Sequence, residues 1–306
     1  MTDLPPIWDQ PVRYIDKTHA WYDALGYGNP YRYAQHRDAP FTQLARPLAE
    51  TRVALLTTAA PFQPDKGNQR AGAPTNAAAK FYRPYTLRSD GEHDLRVSHV
   101  AVDRHEMQDD PNCWYPLPAL RRALAAGRIG AITPHIIGVP TNRSQRHTVT
   151  TDAPEILALL REDQAEAAIL VPNCPICNQT MSLVSRHLEQ AGIPTLVMGT
   201  AKDIVELCGV ARFLFSDLPL GNAAGRPFDV ASQDATLSLA LTTLETAAAP
   251  RTTVANPLRW DDTASWKTRY LSLDGLTQAQ IAEFRARNDQ VKQVALSLRQ
   301  ETLAAF

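Results

Sequence analysis

Along the middle of the chain, short and nearly continuous apolar runs alternate with longer stretches in which apolar residues recur every three or four positions. RVALLTTA (52–59), LRVSHVAV (95–102), AAILVP (167–172), IPTLVMGT (193–200) and VARFLFS (210–216) have the length and aliphatic content of strands. Between them, PLPALRRALAAG (116–127) predicts a helix stopped by glycine. TDAPEILALLREDQ (151–164) predicts another, with Thr151 or Asp152 as cap and Pro154 tolerated in the first turn. In TMSLVSRHLEQAG (180–192), Met181, Val184, Leu188 and Ala191 share one face before Gly192, as a helix resting on a sheet requires. AKDIVELCG (201–209) and SQDATLSLALTTLETA (232–247) continue the alternation. This order predicts an α/β fold: a Rossmann-like or flavodoxin-like layered fold with a mainly parallel sheet and helices on both faces. Function is then expected at the carboxyl ends of the strands.

The flanks read differently. Residues 1–45 hold one helix, VRYIDKTHAWYDAL, broken by GYGNP, and a dense set of aromatics: Trp8, Tyr14, Trp21, Tyr22, Tyr27, Tyr31 and Tyr33. Packing against the body is the first expectation for these rings, and a wall or lid over a pocket the second. Residues 46–250 form the α/β body and 251–306 a helical extension. No linker rich in Pro, Gly or Ser cuts the chain, so one compact unit is expected.

Composition then removes several functional classes. Thirty-one basic side chains against thirty-two acidic ones leave a net charge of −1, so no overall field gathers nucleic acid or anionic lipid. No run of 18 apolar residues exists and the first residues lack a secretory pattern, which makes the cytoplasm the expected compartment. The four cysteines, at 113, 174, 177 and 208, make no disulfide framework, so their chemistry is local.

VPNCPICNQT (171–180) sets Cys174 and Cys177 three positions apart, between a strand and a helix. A helix amino terminus offers unpaired N–H groups and a positive dipole end, both of which favour thiolate over thiol. The spacing also serves metal sites, and close cysteines are often simply buried, so three readings stand: redox couple, metal ligands or packing. His187 lies about 15 Å of helix rise beyond Cys177 and does not join them.

Other polar segments follow the expected strands. VAVDRHEMQDDPNCWYP (100–116) offers Asp103 and His105 as a substrate contact and a proton donor. GVPTNRSQRHTV (138–149) offers Asn142, Arg143 and Ser144, with Arg143 placed to fork onto a carboxylate. Thr58 sits at the end of the first strand in an anion-binding position. Gly221 and Gly225 lack G-x-G spacing and no G-K-[ST] occurs with them, so NAD, FAD and ATP are not implied.

Taken together, RVALLTTAAPFQ, LRVSHVAVDR, DDPN ahead of WYPL, LRRALAAGRIGAI, GVPTNRS and AAILVPNCPICNQTMSLVSRHLEQAGIPTLVMG resemble the B-component family of glycine, sarcosine and betaine reductases and of D-proline reductase, the selenoprotein B family. The resemblance spans roughly residues 50–230. It implies a cytoplasmic enzyme in which a selenol or thiol of this motif takes part in reductive cleavage of a C–N bond beside a carboxylate. It also implies a multi-subunit complex with a pyruvoyl-bearing partner. Members with full reductase activity carry selenocysteine in the motif, whereas this chain has cysteine at both 174 and 177.

The expectation is therefore a thiol-dependent oxidoreductase acting on a small amino-acid-like or carboxylate-bearing substrate. Cys174 attacks, Cys177 resolves the adduct as a disulfide, His105 protonates the leaving group, and Thr58, Asp103, Asn142, Arg143 and Ser144 contact substrate. The dithiol itself is the redox group. Expected partners are a thiol reductant or a companion reductase subunit, and a homo-oligomer is compatible with the chain. Two alternatives stand beside this. One is a zinc- or other metal-dependent lyase or hydrolase with the metal on Cys174, Cys177 and one of His99 or His105, and the other is a non-catalytic subunit of a reductase complex.

Overall fold

The computed structural model describes residues 10–304 apart from Ala71 and Gln108. Trp8 lies outside the described residues. The apolar runs at 52, 167, 193 and 210 become β1 (Arg52–Thr57), β7 (Ala167–Val171), β8 (Thr195–Gly199) and β9 (Arg212–Phe215), the centre of an eight-stranded sheet. The other strands are shorter: β2 (Ala60–Pro61), β3 (Tyr85–Arg88), β4 (Leu95–Arg96), β5 (Ala131–Ile132), β6 (His135–Gly138) and β10 (Thr252–Ala255). The main sheet runs β10-β9-β8-β7-β1-β6-β3, with β5 also paired to β1. All its pairings are parallel except β3 with β6. The mainly parallel α/β architecture expected from the sequence is present.

The helices are α1 (Tyr14–Ala24), α2 (Leu117–Ala125), α3 (Gln145–His147), α4 (Ala153–Glu162), α5 (Pro175–Gln190), α6 (Lys202–Cys208), α7 (Val230–Thr246), α8 (Trp266–Arg269) and α9 (Gln278–Ala304). Strand periodicity explains the two-sided core. Val53, Leu55, Ile169, Val171, Leu196, Met198 and Leu214 face one way, under Leu117 and Leu120 of α2 and Leu237, Leu241 and Leu244 of α7. Ala54, Leu56, Ala168, Leu170, Val197 and Phe213 face the other, under Ile156 and Leu160 of α4 and Met181, Val184 and Leu188 of α5. Each fully buried aliphatic side chain contributes roughly 1.5–3 kcal/mol, so these layers hold the sheet.

Three expectations are corrected. LRVSHVAV is a strand only at Leu95–Arg96, paired with Ala60–Pro61 in a separate two-stranded sheet. The residues after it, which find no ladder partner, cross the rim as loop. The helix expected from residue 180 begins at Pro175, because Cys174 caps it and Pro175 suits its first position. The stretch after residue 250 is not only helical: β10 joins the sheet edge beside β9 before the helices begin.

Gly138 ends β6 where the Tyr85 ring lies flat across the backbone, and a Cβ there would enter that ring. The opening segment packs through Val12, Tyr14, Tyr33 and Ala34 against Leu183, Ile204, Leu220, Trp266 and Tyr270. Among the described residues, no helix is long and apolar enough to cross a membrane.

Candidate functional site

β7 delivers the chain through Pro172 and Asn173 into α5, so the C-x-x-C segment sits at the carboxyl rim of the sheet. Cys174 is the N-cap of α5: its backbone is extended, and its Sγ accepts the Cys177 N–H at 3.1 Å, a place usually taken by Ser, Thr, Asp or Asn. The Asn178 amide donates to the Cys174 carbonyl at 2.9 Å. The Cα atoms of Cys174 and Cys177 are 4.8 Å apart, and the two sulfurs are joined as a disulfide. Thr58 supports this turn rather than facing a ligand, since its hydroxyl donates to Asn173 Oδ1 at 2.6 Å and accepts the Asn173 N–H at 3.1 Å.

His99 lies behind the pair, its Nδ1 2.9 Å from Cys177 Sγ. Burial first, then the charges of Lys80 and Arg104, hold its pKa well below the usual histidine range, so the imidazole is neutral. The His99 carbonyl accepts from the Arg104 guanidinium at 2.8 Å, which also reaches the Thr75 hydroxyl and pins the loop that replaces the expected strand.

In front of Cys174 is a pocket lined by Tyr22, Tyr31, Tyr33, Lys80, His99 and Arg143, with Thr18, Thr141 and Ile176 among the remaining walls. Its free volume is about 30 Å³, roughly a tenth of the smallest ordinary small-molecule site. The tyrosines of the opening segment thus form a roof over the sulfur. The second of the two readings for those rings describes these three.

Arg143 adopts a left-handed backbone, φ 53°, and its guanidinium stacks 5.6 Å from the Tyr22 ring centre and 5.7 Å from that of Tyr31. Lys80 retains some exposure overall, but its ammonium group is enclosed and donates to the Thr141 carbonyl at 3.2 Å. Burial, and after it Arg143, bring the Lys80 pKa down to about 8. No carboxylate lines the pocket among the described residues. Two cations therefore face one sulfur in a narrow aromatic enclosure.

The remaining predicted residues lie apart. His105 is exposed and lines a neighbouring cavity of about 440 Å³, together with Asp103, Arg104 and Arg287. The two cavities share Val100 and Ala101 as a wall. Burial raises the Asp103 carboxyl to about 6. Asn142 turns its amide to Asp152 Oδ2 at 3.2 Å, and the Ser144 hydroxyl accepts the His147 N–H at 3.2 Å as the cap of α3. Both shape the Arg143 turn from behind. Cys174 and Arg143 of the expected set thus meet at the pocket with Cys177 buried behind, and His99 rather than His105 is the histidine at the dithiol.

Aligned over 188 residues, the chain is 27% identical to D-proline reductase subunit gamma of Acetoanaerobium sticklandii, a match covering 61% of this chain and 75% of the relative. The chain is a distant relative of the D-proline reductase family. No family model and no solved structure matches it. The relation to a named reductase subunit supports the coarse expectation of a reductase component, and the closeness of Cys174 and Cys177 agrees with redox cysteines.

Lys80 was not among the residues singled out from the sequence. It follows three alanines in a segment with no strand or helix periodicity, and only folding turns its amine toward Arg143. A lone lysine amid small and aromatic residues, AAAKFY, is the one signal that sets it apart from solvated lysines.

Proposed function

We propose that the chain is a thiol-dependent reductase component that cleaves a carbon–heteroatom bond, C–N in the first instance, in a small carboxylate-bearing substrate. The observation that carries this reading is the position of Cys174: it borders the pocket that holds Arg143, with Cys177 at its back. Arg143 forks onto the substrate carboxylate. The reduced Cys174 thiolate is favoured by the amino terminus of α5 and the Cys177 N–H.

Cys174 sulfur attacks the carbon that bears nitrogen. A C–S bond forms, the C–N bond breaks, and its electron pair leaves on nitrogen, which takes up a proton. Cys177 then attacks Cys174 sulfur: the S–S bond forms, and the C–S pair stays on carbon and is protonated. Two thiols become one disulfide while one C–N bond becomes C–H and N–H. His99, neutral and 2.9 Å from Cys177 Sγ, accepts a hydrogen bond from the Cys177 thiol and orients it for this second step, a position His105 does not share. An external thiol reductant restores the dithiol, and the relative's name favours work within a reductase complex.

The test is thiol counting on the reduced chain with small amino acids, D-proline included, in the presence and absence of companion subunits. Two thiols lost per product support the scheme. Product formed at an unchanged thiol count overturns it.

A second reading rests on one observation. His99, Cys174 and Cys177 place their ligand atoms within 4.8 Å of one another, all buried. Three donors with a face open to the pocket suit a catalytic zinc rather than a structural one, for a lyase or hydrolase. Stoichiometric zinc in the reduced protein, lost together with activity, would favour that reading over the first.

A further inference from the structure

We propose that Lys80 is a covalent carbonyl-capturing residue: its amine forms an imine with a small α-keto acid whose carboxylate is held by Arg143. The thiol scheme makes no use of this side chain. Its amine borders the same pocket as Arg143 and Cys174, and its hydrogen-bond partner is the neutral Thr141 carbonyl rather than a carboxylate. The charged and titratable groups around it are Arg143, His99, Cys174, the three roof tyrosines and Tyr82, whose ring centre lies 5.8 Å from the amine; with Cys174 held in its disulfide, no carboxylate or thiolate is among them.

An amine in such a place is a nucleophile. Burial and the neighbouring guanidinium leave about a tenth of it unprotonated near pH 7, against well under a thousandth for a solvated lysine. The enclosure also keeps water from the product, which slows hydrolysis of an imine.

The chemistry balances without an oxidant or a reductant. The Lys80 nitrogen pair adds to the keto carbon, and the oxygen departs as water carrying the two amine hydrogens. A C=N bond replaces C=O. The ligand class follows from the walls. The free volume of about 30 Å³ is about one water's share, so a ligand enters only by displacing the tyrosine roof and must be small; Arg143 suits a carboxylate, and the tyrosine faces accept small apolar groups. Pyruvate and glyoxylate meet all three conditions. The capture is independent of the dithiol, so it can fail or hold separately from the reductase reading.

The experiment uses the full-length chain, pyruvate and sodium cyanoborohydride, with peptide mass mapping of the trapped amine. The expected result is a carboxyethyl group on Lys80 ahead of every other lysine, with a labelling rate half-maximal near pH 8. Lys80→Arg, which keeps the cation, abolishes that label, with an unchanged melting curve to show that the fold survives. Arg143→Gln lowers the labelling rate roughly tenfold, the worth of one charge-assisted hydrogen bond. The label forms on the oxidised chain, whose Cys174–Cys177 disulfide leaves no thiolate to turn over substrate, so capture is read apart from the reductase chemistry. Label spread evenly over the lysines, a half-maximal pH in the ordinary lysine range, indifference to Arg143, or no labelling of the oxidised chain would each overturn the proposal.

Discussion

The two ends of α5 solve opposite electrostatic problems. At its carboxyl end, by the starts of β8 and β9, Glu189 is fully enclosed and surrounded by partners. One carboxylate oxygen accepts from Arg212 at 3.0 Å and from the Thr195 N–H and hydroxyl at 2.6 and 2.8 Å, and the other accepts the Thr42 N–H at 2.6 Å. Arg212 returns to the Thr42 carbonyl and lies over the Phe41 ring. Burial opposes both charges, raising the Glu189 carboxyl and lowering the Arg212 guanidinium, and the hydrogen bonds and mutual attraction offset it. At the amino end, Cys174 shares a pocket with Lys80 and Arg143 whose lining, among the described residues, holds no carboxylate. A closed cluster fastens the opening segment to the body, and the open one is where the proposed function places the substrate carboxylate. Burial and charge alone do not separate fastener from site; the sign of what is missing does.

The sharpest break of this comparison is Cys174→Ser, expected to lower thiol-dependent turnover by at least ~10⁴-fold while the melting temperature stays put. A large loss of stability instead would make the amino end a fastener too. Glu189→Gln should do the reverse. It strands Arg212 without a counter-charge and costs about 3–5 kcal/mol in denaturant unfolding, with the reactivity of Cys174 in the folded protein retained. A cost below about 1 kcal/mol would remove the distinction.

Asp152 sharpens the same point at a third place. Its partners are the Asn142 amide and His147, 3.3 Å away and kept neutral by burial, and burial raises its carboxyl to about 7. A folded-state pKa above the unfolded value of about 3.9 means that the folded chain holds the proton more tightly between these values. The contribution of Asp152 to stability is therefore full below about pH 4 and is lost as pH rises toward about 7. Thermal melts across this window should show the fall, and Asp152→Asn should flatten it. The smallest effect is expected from Thr58→Val, which removes the hydroxyl from Asn173 and should cost about 1 kcal/mol by equilibrium unfolding, with a modest change in Cys174 alkylation rate.

Much of this could be seen in the residues alone, for physical reasons that differ by element. β1, β7, β8 and β9 are covered on both faces, so their aliphatic runs announce them. β3 and β10 are edge strands of four residues with mixed polarity, and β6, though buried, is four residues beside a proline; none of the three leaves a strong period. LRVSHVAV has strand-like residues, but a strand exists only where a neighbour accepts its ladder, and beyond Arg96 none does. The same misreading kept His99 among the alternative metal ligands only and gave the thiol scheme His105, because His99 fell inside the expected strand while His105 fell in the expected loop. Cys174, Cys177 and Arg143 were visible because spacing and turn chemistry are local. Lys80 was not, because its significance comes from a guanidinium sixty-three positions away in the chain.

The roof and the floor of the pocket have separate origins. Tyr22, Tyr31 and Tyr33 come from a segment that contributes no strand, whereas Cys174 and Arg143 hang from the sheet. Under the proposed function, mutational drift at the roof tyrosines would redraw which small molecules are admitted without touching the sulfur chemistry or the sheet that holds it. In evolutionary terms, selection for substrate and selection for mechanism can act here on different stretches of gene.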